Sequence, residues 1–104
     1  MHNATIVNGS QPFKELAELL PVIEAKVKAR TIYLGDYFII KDIYYMLSMN
    51  DNDASGTQKM LKWHIDALKG IIKSDGMYRE NPESTETLTN AVSILEGILS
   101  ENFS

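Results

Sequence analysis

Apolar residues recur along much of this chain at helical spacing. Phe13, Leu16, Leu20, Ile23 and Val27 follow one another at intervals of three, four, three and four. That is one stripe of an amphipathic helix. The stripe predicts a first helix over about 11–29. Ser10 suits its N-cap, and Pro12 falls in the first turn, where a missing N–H costs nothing. Lys26, Lys28 and Arg30 suit its negative end. Pro21 interrupts it, and a kink is expected near Ala17 to Pro21.

The segment Asp36 to Met49 is different. Ten of its fourteen residues are apolar or aromatic, and only Lys41, Asp42 and Ser48 form a polar strip. As a helix over 37–49, capped by Asp36, it is greasy on nearly every side. Such a helix must be covered from several directions. It is expected to be the central helix of the domain or the seam of an oligomer. Residues 31–40 also fit a β-hairpin turning at Gly35-Asp36, because short apolar runs do not separate by periodicity alone.

Residues 50–56, NDNDASG, form a polar loop. A third helix is expected over 57–74, with Leu61, Ile65, Leu68 and Ile72 on its main face and His64 and Ile71 beside them. Asp75-Gly76 stops it. After a loop, Asn81 caps a fourth helix over 82–101, with Pro82 first and Glu83 and Glu86 in the opening turn. Leu88, Ala91, Val92, Leu95, Ile98 and Leu99 line its apolar side. The expectation is an all-α fold, an antiparallel four-helix bundle over 10–104 with a short arm at 1–9.

Composition narrows the functional classes. A chain of 104 residues is about one domain and can bury a core without staples. It has no cysteine, which removes disulfide and thiolate chemistry and fits a reducing, cytoplasmic setting. No apolar run reaches a membrane span, and the N-terminus lacks the layout of a signal peptide. Sequons at Asn3, Asn8 and Asn102 are silent without secretion. The net charge of −4 argues against general nucleic-acid binding.

Asp51-Asn-Asp53-Ala-Ser55-Gly56 resembles the first half of an EF-hand calcium loop. The position for the closing Glu holds Lys62, so tight calcium binding is not expected. Asp66-Ala-Leu-Lys-Gly70 resembles the core of histidine phosphotransfer domains, four-helix bundles of about this size. Asp66 stands where that family has its phosphorylated histidine, and His64, two residues away, points elsewhere on a helix. Neither His2 nor His64 has a partner at metal-ligand spacing. Glu15 and Glu18 lack the facing acidic pair of carboxylate metal bundles. No phosphate loop or nucleophile–base set is present. No metal, no cofactor and no enzymatic activity are expected.

Two surfaces stand out. Met60, Trp63, Ala67 and Gly70 form a second stripe on the third helix, well over 100° from its main face. With Tyr45 they are candidate interface residues for a partner or a second copy, since Trp and Met are enriched at interfaces. Lys59, Lys62, Lys69 and Lys73 lie beside them. Lys26, Lys28, Arg30, Thr31 and Tyr33 gather cations and an aromatic ring where the first helix ends. With Lys62 and Lys69 they are candidates for an anionic ligand such as a nucleotide. The leading expectation is a non-catalytic interaction protein, a small regulator or inhibitor that occupies a partner surface and self-associates. The rivals are an oligomeric binder of a small anion and an enzyme with a site assembled between chains.

Overall fold

The structure is a computed structural model that describes residues 10–49 and 54–103. The described residues form five helices and no strand: α1 (Gln11–Lys28), α2 (Leu34–Ser48), α3 (Ala54–Ser74), α4 (Gly76–Glu80) and α5 (Pro82–Phe103). The all-α class expected from the apolar spacing is observed.

α1 begins where Ser10 accepts a hydrogen bond from the Phe13 amide at 3.3 Å. It runs through Pro21 without a break, the proline lying on its exposed side. Its stripe turns inward: Phe13, Leu16 and Ile23 are buried. The helix ends in a double hydrogen-bonded wrap. The Arg30 amide donates to the Val27 carbonyl and the Thr31 amide to the Lys26 carbonyl. Arg30 takes a φ of 64° to make that turn, a conformation usually given to glycine.

The 31–40 segment resolves to a helix. α2 starts at Leu34, three residues before the expected Tyr37, and its cap position is Tyr33. Asp36 therefore does not cap it. Its carboxylate lies in the first turn, at the positive end of the helix dipole, and is buried. Ile40, Ile43 and Leu47 then fall on one side and are buried together, as a helical period requires. α3 likewise begins earlier than Thr57, at Ala54.

Asp75-Gly76 ends α3 as expected, but residues 76–80 are a short helix, not a loop. Asp75 explains it, since its side chain accepts from the Met77 amide at 2.9 Å and starts a new turn. Asn81 separates α4 from α5. Its carbonyl accepts the first amides of α5, while its side-chain amide turns back to the Met77 carbonyl at 2.7 Å.

The most extensive packing is of α5 against α3 and against α1, which touch each other little, so α5 lies between them. α2 packs on α1, with Phe13 and Tyr44 rings stacked at 4.8 Å, and more lightly on α3. The expected central place of the second helix is thus taken by the last one. Leu88, Ala91, Leu95 and Ile98 of α5 are all but inaccessible.

Candidate protein-interaction surface

α2 has apolar residues on two opposite sides. One side enters the core through Ile40, Ile43 and Leu47. The other carries Leu34, Phe38, Tyr45 and Met49, all exposed, Met49 at 75%. At 100° per residue these four lie within about 60° of one another, nearly opposite the buried set. Lys41 stands in the same strip. Its Nζ is 5.6 Å from the centre of the Tyr37 ring and 5.9 Å from that of Tyr45, within reach of both π faces. Among the described residues, none covers this side of the helix.

α3 shows the same doubling. Leu61, Ile65 and Leu68 are buried against the core. On the far side Trp63 is 68% exposed, Gly70 is exposed, and Met60 and Ala67 are half-buried along the edge. The Trp63 indole meets the His64 ring edge-on at 4.9 Å. His64 is half-buried, and its Nδ1 has no hydrogen-bond partner among the described residues. Burial holds its imidazole below the usual range, against an opposing pull from the Asp42 carboxylate of α2. Tyr45 belongs to the α2 strip, so the expected interface residues divide between two neighbouring helices, and Met46 of α2 adds a further exposed side chain.

The candidate anion-binding residues divide as well. Lys26 and Thr31 line a cleft of about 450 Å³ with Asn81, Pro82, Glu83 and Ser84. There the Lys26 ammonium already faces Glu83 at 3.8 Å, and the Thr31 hydroxyl donates to the Lys26 carbonyl at 3.2 Å. Arg30 is exposed. The Tyr33 hydroxyl donates to Asp75 at 3.2 Å, and partial desolvation together with that carboxylate raises its pKa. Lys62 and Lys69 stand apart from these four, on α3. Lys62 is exposed, and Lys69 pairs with Glu96 of α5 at 2.7 Å, which raises the lysine pKa.

Two features were not anticipated. A cleft of about 1120 Å³ runs over the outer side of α5, with Leu19 and Val22 of α1 on one wall, Ile72 of α3 on the other, and Thr89, Asn90 and Ser93 on its floor. The Thr85-Thr89-Ser93 row at four-residue spacing was its visible trace. The other is a buried polar link. The Tyr78 hydroxyl donates to Asp36 Oδ2 at 2.5 Å and accepts from the Tyr33 amide at 3.1 Å. The two tyrosine rings meet edge-on at 5.4 Å. Burial, then the Asp36 hydrogen bond, pushes the Tyr78 phenol far above its usual pKa.

Among the described residues, no three His, Cys, Asp or Glu side chains converge where a metal ion could sit. Asp51, Asp53 and the Ser55 side chain of the calcium-loop pattern lie outside them, as do His2 and residues 1–9. Asp66 of the phosphotransfer-like pattern is exposed on the outer side of α3. No helix among the described residues is long and apolar enough to cross a membrane. Comparison with family models, with curated proteins and with solved structures finds no match to this chain.

Proposed function

We propose that this is a non-catalytic helical interaction protein, a small regulator or inhibitor that acts by occupying the surface of a protein partner. The observation that carries the reading is the second apolar side of α2, continued on α3 by Trp63. Leu34, Phe38, Tyr45, Met46, Met49 and Trp63 are large, exposed and confined to two adjacent helices. The α2 residues share one strip of the helix, and exposed apolar side chains gathered in this way mark interaction sites in soluble proteins, whereas scattered single residues do not. Aromatic and methionine side chains are also enriched at interfaces, and Trp and Tyr are among the types that supply most of the binding energy there. The other helices expose less: among the described residues Val22, at 45%, is the one exposed large apolar side chain of α1, α4 and α5.

The test is native mass spectrometry of the protein purified from its own host, as wild type and as Tyr45→Ala and Trp63→Ala. The expected result is a retained protein partner, or a second copy of the chain, that both variants lose while keeping the wild-type helical signal. Retention of the same partner by both variants would remove α2 and α3 as the site.

A further inference from the structure

The outer side of α3 carries two parallel periodic rows. Met60, Trp63, Ala67 and Gly70 follow at intervals of three, four and three. Lys59, Asp66 and Lys73 run beside them, seven residues apart. A narrow 3–4 apolar row bordered by charges at heptad spacing is the layout of a helix–helix seam, in which the flanking charges choose the partner.

The open part of that layout is Trp63, Gly70 and the charged row, while Met60 and Ala67 are half-buried at its edge. Trp63 is open to solvent, and a Cβ placed on Gly70 would meet nothing within 4 Å, so there is room for a backbone to approach beside the indole. Lys59, Asp66 and Lys73 are exposed, and none forms an ion pair among the described residues. Lys69, on the side toward α5, is the cation of α3 already engaged, with Glu96.

The charges also say what the seam does not take. A second copy running antiparallel would bring Lys59 against Lys73 and Asp66 against itself. A parallel copy would set Lys59 against His64 and Asp66 against Ile71, neither of them complementary. An anionic membrane or a nucleic acid would meet Asp66 in the middle of the row, and the apolar stripe is too narrow to lie on a bilayer.

We infer that the outer face of α3 receives one α-helix of another protein, bearing an apolar stripe and, beside it, an acid, a base and an acid at seven-residue spacing. The acids meet Lys59 and Lys73, the base meets Asp66, and an apolar side chain fills the space between Trp63 and Gly70. This rests on the interaction reading above and specifies the chemistry of the partner.

The experiment uses the full chain and two synthetic three-heptad helical peptides without tryptophan, so that Trp63, the one tryptophan of the chain, reports binding. Both peptides have leucine at the core positions. One carries Glu, Lys and Glu at the flanking positions, the other Lys, Glu and Lys. At low salt the first should shift Trp63 emission to the blue and bind at least about tenfold more tightly than the second. The triple variant K59E/D66K/K73E, altered only at exposed positions, should keep its helical signal and reverse that preference. Equal affinities, no binding of either peptide, or no reversal in the triple variant would overturn the inference. So would a Trp63 shift produced by phosphatidylserine vesicles and by neither peptide. Light scattering of the wild type alone separates the two readings. Self-association that buries Trp63 defeats the helix partner and keeps the surface as an interface. Partner retention in both Tyr45→Ala and Trp63→Ala defeats the interface itself.

Discussion

The hydroxyl of Tyr78 and the carboxylate of Asp36, 42 residues apart, meet in the interior at 2.5 Å. Tyr78 is wholly inaccessible and Asp36 nearly so. The same oxygen accepts the amide of Tyr33, so one phenol joins α4 to the start of α2. Tyr78→Phe keeps the ring and removes the donor. It leaves a buried carboxylate short of a partner, which should cost about 2–3 kcal/mol of stability. Urea unfolding of the two proteins measures it. A loss under about half a kcal/mol would mean that Asp36 finds other partners when the hydroxyl is gone.

The same bond should make the protein sensitive to alkali. The folded pKa of Tyr78 lies above that of an unfolded tyrosine, so the folded state holds its proton longer. Its contribution to stability is complete below about pH 10, the ordinary tyrosine value, and declines as pH rises beyond it, with a slope approaching about 1.4 kcal/mol per pH unit. Unfolding free energies between neutral pH and pH 11 should show that decline in the wild type and a weaker one in Tyr78→Phe.

Arg30 turns the chain at the end of α1 with a positive φ. A side chain in that region costs about 1 kcal/mol relative to glycine. Arg30→Gly should therefore raise the stability by roughly 0.5–1 kcal/mol, although it removes a cation. Arg30→Val, β-branched, should lower it by about 1–2 kcal/mol. Thermal melts of the pair decide it, and a destabilised glycine variant would assign the arginine side chain a structural contact.

Gly70 sits within α3 facing open space. Gly70→Ala should add about 0.5–1 kcal/mol of stability through helix propensity alone. Chemical denaturation reads the gain. No gain would mean that the end of α3 is less rigid than its hydrogen bonding implies.

How much of this was legible before any coordinates depends on where each determinant lies. The stripes of α1 and α5 are local, and the spacing picked out most of their buried residues, though Ile94 and Ser84 are buried as well and Leu20, Val27 and Leu99 are only half-buried. The outward face of Trp63 could also be read, because the angle between two residues on one helix does not depend on what packs against it. Asp36 could not. Its side chain is buried by Tyr78, far along the chain, and a carboxylate in a first turn has the same sequence signature exposed or enclosed. α4 is too short to show a period. The two apolar sides of α2 were visible, but which of them stays open was decided by the helices it packs on, α1 and more lightly α3.

That placement of α5 bears on the order of events during synthesis. α1, α2 and α3 leave the ribosome before the helix that α1 and α3 both pack against has been made. Until it arrives, α1 and α3 have little beyond α2 and the short α4 to pack on, and the sides that face α5 stay uncovered. The packing that joins α1 to α3 therefore forms only after α5 has emerged.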